Sequence, residues 1–228
     1  MTQRRALLVL SCALFAAAAM VSACGSERLA SPSMLVGLPR VASQGPGGGT
    51  SNGYGNQLPT FLTADPTAPS MANPVITFWA VKGINTEVRM FYHARPGHTD
   101  STTFMWFRIR ETSLQSLPDG SGIALGDSVQ ITVTLVDPVS LKLDFQPSGL
   151  RFSPHDSAEI KLSFKETLHD LNGDGVVDHL DADILRRLAV WRQELATDPW
   201  HPLPSILLSG SFEVAAKIGG FTGYAAAY

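Results

Sequence analysis

In most stretches between residues 86 and 165, apolar and polar positions alternate. Val88 and Met90 alternate with Glu87 and Arg89, and Met105, Phe107 and Ile109 share one parity. Val129, Ile131, Val133 and Leu135 alternate with Gln130, Thr132 and Thr134. Leu141, Leu143 and Phe145 continue the pattern, followed by Leu150 and Phe152 and then by Ile160, Leu162 and Phe164. Residues 75–81 form a dense, β-prone apolar run. A period of two places every second side chain on one face, so each stretch predicts a strand with one apolar and one wet side. Pro96-Gly97, Pro118-Asp119-Gly120, Gly126-Asp127, Asp137-Pro138 and Pro147-Ser148-Gly149 punctuate these strands as turns. Two more β-like runs, 206–215 and 218–228, predict that the last segment closes a sheet. Short strands at this spacing predict a mainly β fold, an antiparallel β-sandwich of immunoglobulin-like type, over residues 74–228.

One stretch has another period. Leu180, Ile184, Leu185, Leu188, Trp191 and Leu195 recur at helical spacing, with Arg186, Arg187, Arg192 and Glu194 opposite. This predicts a single helix ending before Asp198-Pro199. Directly before it lies DLNGDGVVDHLD, residues 170–181. Asp170, Asn172, Asp174, Asp178 and Asp181 put side-chain oxygens at loop positions one, three, five, nine and twelve. Gly175 supplies the sharp turn at position six, and Val176 would lend its backbone carbonyl at position seven. That spacing is the one by which a twelve-residue loop wraps hard oxygens around calcium. Four carboxylates so close repel one another without a cation. The expected cofactor is therefore Ca2+, bound by an insert of loop plus helix at 170–195. Asp183 falls outside the ligand series and favours the helix N-terminus.

The first 23 residues read as a signal peptide. Arg4 and Arg5 precede an almost wholly apolar stretch, 6–23, which ends Val21-Ser22-Ala23-Cys24. Small residues before a cysteine resemble the lipobox of bacterial lipoproteins. That resemblance implies cleavage before Cys24 and its lipidation, hence a membrane anchor and an extracytoplasmic, cell-envelope address. Gly25 rather than Asp follows Cys24, which in double-membraned bacteria implies the outer membrane. Residues 24–73 are rich in Gly, Pro, Ser and Thr and nearly free of charge, so a flexible tether is expected. About 48 such residues reach roughly 35–40 Å.

The residues Gln146-Pro147-Ser148-Gly149-Leu150-Arg151-Phe152, the alternating strand to Phe164, Trp191, Trp200 and the closing Gly220-Phe221-Thr222-Gly223-Tyr224-Ala225 resemble the ZU5 domain. ZU5 domains are β-sandwich modules of ankyrins, netrin receptors and tight-junction scaffolds. The resemblance covers about residues 73–228 and implies a structural or protein-interaction role. Some ZU5 relatives cleave themselves at a His-Phe-Ser step; here Gly220-Phe221-Thr222 stands there, without the histidine. The calcium loop followed by a helix is similar to one half of a dockerin repeat, in which Asp at the twelfth position is usual. A dockerin has two such repeats and this chain has one, so a cohesin partner is not expected.

Composition and charge narrow the remaining chemistry. The formal net charge of the 228 residues is −3, and cleavage before Cys24 leaves 15 basic residues against 20 acidic, a formal −5. Such a balance gives no basic field for nucleic acid. Both cysteines lie within the first 24 residues, so the body has no disulfide framework. The six histidines, His93, His98, His155, His169, His179 and His201, come without Cys or an H-E-x-x-H pair, and no zinc site is predicted. Gly49-Thr50-Ser51-Asn52-Gly53 matches G-x-S-x-G, but no strand precedes it and no helix follows, so no nucleophile elbow is predicted. No catalytic set emerges, and the chain is read as a non-enzyme.

Three functions follow, in order of preference. The first is a lipid-anchored, calcium-stapled structural or interaction module. The second is a carbohydrate- or envelope-binding module, which would show an aromatic row on one exposed face. Its candidate residues are Phe78, Trp79, Phe91, Tyr92, Phe104 and Trp106, more readily read as core. The third is a hydrolase, which would show a cleft where histidines and acidic residues converge.

Overall fold

The structure, a computed structural model, describes residues 58–228. The signal segment, Cys24, residues 24–57 of the expected tether and the Gly49–Gly53 motif lie outside the described residues.

Thirteen strands and one helix follow one another among the described residues. In chain order the strands are β1 (Val75–Val81), β2 (Thr86–Phe91), β3 (Thr103–Ile109), β4 (Leu114–Ser116), β5 (Ser128–Asp137), β6 (Lys142–Gln146), β7 (Arg151–Phe152) and β8 (Ala158–Ser163). The helix α1 (His179–Leu185) comes next. It is followed by β9 (Ala189–Gln193), β10 (His201–Pro202), β11 (Ser205–Leu208), β12 (Glu213–Ile218) and β13 (Gly223–Ala227). One antiparallel sheet has the order β1-β5-β6-β13-β9-β10, a second β11-β12-β8-β3-β2, and β4 pairs with β7. The fold is mainly β, and its two large sheets face each other across one core.

The alternation explains that core. Ile131 and Val133 of β5, Phe145 of β6, Phe107 of β3 and Ile160 and Leu162 of β8 are at most 1 % exposed. Phe107 meets Phe145 of the opposite sheet at 5.2 Å between ring centroids, tilted edge to face at 71°, an arrangement that suits the ring quadrupoles. The segment 206–215, read as one run, is two strands, because a 3-10 turn at Ser209–Ser211 and Phe212 at φ +55° reverse the chain. The last strand β13 sits inside the first sheet, between β6 and β9.

Two expectations are corrected. The predicted helix to residue 195 stops at Leu185, and Trp191 belongs to strand β9. Leu180 and Leu195, read as part of its apolar face, are exposed. Val190 and Trp191 favour extended backbone, and β13 offers them a full register of partners from Ala189↔Ala227 to Gln193↔Gly223. Non-local pairing overrides a local helical spacing here.

Residues 58–73, taken from sequence as the end of the tether, form a strap instead. Thr60 and Tyr228 exchange backbone hydrogen bonds at 3.0 and 3.1 Å, and Leu62 N–H donates to Ala226. Leu168 N–H donates to Thr63, and Asp65 N–H to Glu166. Ala72 N–H then donates to Phe91 at the end of β2. The strap thus runs from one sheet to the other. Its backbone partners and the burial of Leu62, 2 % exposed, offset the ordering entropy that composition alone suggested would win.

Candidate functional site

The twelve-residue loop is the crossover from β8 of one sheet to β9 of the other. Each of its acidic side chains folds back on the loop's own backbone. Asp170 accepts from Gly173 N–H and Gly175 N–H, both at 2.8 Å. Asn172 accepts from Asp174 N–H, and Asp174 from Val176 N–H and from the Asn172 amide. Gly173 and Gly175 lie at φ +75° and +87°, left-handed backbone that glycine adopts without a Cβ penalty.

The last two acids have a second role. Asp178 caps α1 by accepting from Leu180 N–H at 2.8 Å. Asp181 closes the capping box by accepting from Asp178 N–H at 2.9 Å. Asp181 also accepts from Leu171 and Asn172 N–H, at 2.6 and 3.1 Å, so one carboxylate joins both ends of the loop. The Asp178 N–H, and after it those of Leu171 and Asn172, hold the Asp181 carboxyl below its ordinary value, against the opposing effect of burial. The side chain of Tyr228 fastens the loop from outside, its hydroxyl donating to the Leu171 carbonyl at 2.8 Å.

The donor set is hard oxygen throughout, the chemistry calcium requires. Each carboxylate oxygen has two lone pairs, and those of Asp170 and Asp174 use one each on the loop backbone or on Asn172. Val176 keeps its carbonyl at the seventh place. Among the described residues no group of three or more His, Cys, Asp or Glu side chains converges closely enough to hold a metal. Beneath the loop lies an apolar hollow of about 140 Å3, bordered by Leu62, Phe164, Leu171, Val177 and Leu185. Val176 and Val177 are 58 % and 65 % exposed. Leu171 packs against the main core, and hydrogen bonds supply the rest of the loop's attachment to the body.

A second site was not legible in the sequence. A polar cleft of about 610 Å3 lies where the β2–β3 connection meets the end of β8 and the start of β12. His93, His98, Asp100, Lys165, Glu166 and Glu213 line it. Glu166 is only 6 % exposed and pairs with the Arg95 guanidinium, and Thr102 donates to its other oxygen at 3.3 Å. Arg95 also donates to the Thr67 carbonyl at 3.3 Å, so the strap, the β2–β3 connection and the β8 exit meet there. Beside it, burial and then the Glu166 charge raise the Tyr92 phenol above its ordinary range. No hydrogen bond joins His93 or His98 to a carboxylate among the described residues.

The candidate aromatic row is divided. Tyr92 and Phe104 are core, stacked edge to face at 5.9 Å. Phe78 packs against the core, while Trp79 stands 59 % exposed on the edge strand β1. Trp106 lies on the outer face of the other sheet, in register with Arg89 and Lys161. No family model matches the chain, and no curated protein and no solved structure matches it.

Proposed function

We propose that the chain is a lipid-anchored, extracytoplasmic β-sandwich module of ZU5-like type, stapled by one calcium ion and serving a structural or protein-interaction role. The observation that carries this reading is the position of the loop. Its oxygen-bearing residues fall on the crossover between the two sheets, and Tyr228 and Asp181 tie that crossover to the chain end and to α1. Asp170, Asn172, Asp174, Asp178 and Asp181, with the Val176 carbonyl, would hold the ion. Bound there, calcium supplies charge neutralisation to four carboxylates and a brace for a loop that packing leaves exposed. With a dissociation constant of about 10 µM and calcium at about 1 mM, linkage adds about 2.7 kcal/mol to stability.

Calcium titration calorimetry on the purified chain, beside melting curves with calcium and with chelator, tests the staple. One site per chain and a rise in melting temperature are expected, both lost in Asp174→Ala. No heat and no shift would end the calcium reading. The anchor is tested separately: Cys24→Ala is expected to move the protein from the membrane fraction to the soluble one. An unchanged fractionation would remove the lipoprotein assignment, and with it the outer-membrane address.

One observation favours the hydrolase reading, namely that His93 and His98 share a cleft with three acidic residues. Binding is preferred because Glu166 is committed to Arg95 and Thr102 and, among the described residues, no hydrogen bond joins His93 or His98 to Asp100 or Glu213. Turnover of an ester, peptide or glycoside substrate that His93→Ala or His98→Ala abolishes would reverse that preference.

A further inference from the structure

The polar cleft continues onto the outer face of the five-stranded sheet. Thr103 and Glu213 border both it and a neighbouring hollow of about 390 Å3, which adds Glu87, Arg89, Trp106 and Lys161. The antiparallel register builds this surface, setting Arg89, Trp106 and Lys161 side by side across β2, β3 and β8. The Trp106 indole N–H reaches Glu87 at 3.3 Å, and the Lys161 ammonium lies over the Trp106 ring, 4.7 Å from its centroid, so a ligand stacking on that face displaces the lysine side chain.

The chemistry of this surface selects a class of ligand. Its charges cancel, with Arg89, Arg95, Lys161 and Lys165 set against Glu87, Asp100, Glu166 and Glu213. A balanced surface attracts neither a polyanion nor an anionic lipid layer. Between the charges stand hydroxyls that both donate and accept, from Ser101, Thr102, Thr103, Ser163 and Ser211. The partner that matches carries many groups able to donate and accept, no net charge, and a flat C–H face for an indole. A pyranose ring has all three.

We propose that this continuous surface binds a neutral oligosaccharide, with Trp106 as the stacking platform and Glu213, at the junction of the two hollows, accepting from sugar hydroxyls. The pair of half-exposed Arg95 and buried Glu166 forms the far wall. The inference gives the interaction module its partner class, and it does not depend on the calcium loop.

The test uses the purified full-length chain and hexasaccharides of β-1,4-glucan, chitin, mannan and α-glucan, followed by calorimetry with calcium and again with chelator. At least one should bind saturably. Trp106→Ala and Glu213→Gln should each weaken that binding about tenfold while both variants keep a cooperative melt and the wild-type circular dichroism spectrum. Trp79→Ala, on the other sheet, should leave it unchanged. No heat from any of the four at concentrations to about 10 mM would overturn the proposal. So would binding indifferent to both Trp106→Ala and Glu213→Gln, or salt-sensitive binding to phosphatidylglycerol vesicles in place of sugar. Sugar binding that persists in chelator, with no calcium heat, would remove the staple and leave the sugar surface standing. The converse pattern would do the reverse.

Discussion

Single residues carry much of the loop's attachment. The Tyr228 hydroxyl reaches the Leu171 carbonyl at 2.8 Å. Tyr228→Phe removes that donor without disturbing the ring and should cost about 1 kcal/mol in urea unfolding. Asp137 does comparable work at the β5–β6 turn, accepting from Val139 and Ser140 N–H, both at 3.0 Å, with the Lys142 ammonium 3.5 Å away. The Ser140 N–H above all, then the Ser140 side chain, the Val139 N–H and Lys142, lower the Asp137 pKa against burial. A carboxyl lowered on folding contributes stability that is complete above its ordinary value of 3.8 and is lost as pH falls through the lower, folded value. The melting temperature should therefore drop below about pH 4, and in Asp137→Asn that drop should be shallower. At this scale the sequence was informative about the loop, because five oxygens and a glycine at set intervals are a local signal. It was silent about the cleft, whose walls come from residues 93–103, 163–166 and 211–213.

Among the elements, β13 shows why small residues are needed. Tyr224 and Ala226 face the main core, while Ala227 lies with Ala189 and Trp191 in a second cluster on the opposite face, under Phe61 and Trp200. Trp191 donates its indole N–H to the Ala227 carbonyl at 2.9 Å. A strand buried on both faces has no room for branching, so Ala227→Leu should cost about 1–3 kcal/mol by overpacking, measured by chemical denaturation. The strands with one wet face were legible because alternation reports that geometry directly. Strand β9 was not, since Leu185, Leu188, Trp191 and Leu195 mimic helical spacing and its partner residues on β13 lie thirty or more positions away. Residues 58–73 carry no period at all. Their order comes from backbone partners on distant strands, a property that composition does not encode.

For the whole molecule, the strap means that the two ends of the described chain leave from one place. A pull on residue 58 reaches Tyr228 within two residues, through the paired bonds of Thr60. Load then spreads to the β8 exit through Thr63 and Asp65, and to the second sheet through Ala72. The domain would thus be gripped across both layers at once rather than unzipped from a free edge. Leu171, held by the Tyr228 hydroxyl, lies on that same path. On the proposed reading, an ion seated in the loop would stiffen the point at which mechanical tension enters, and calcium would set how much force the module bears before it gives way.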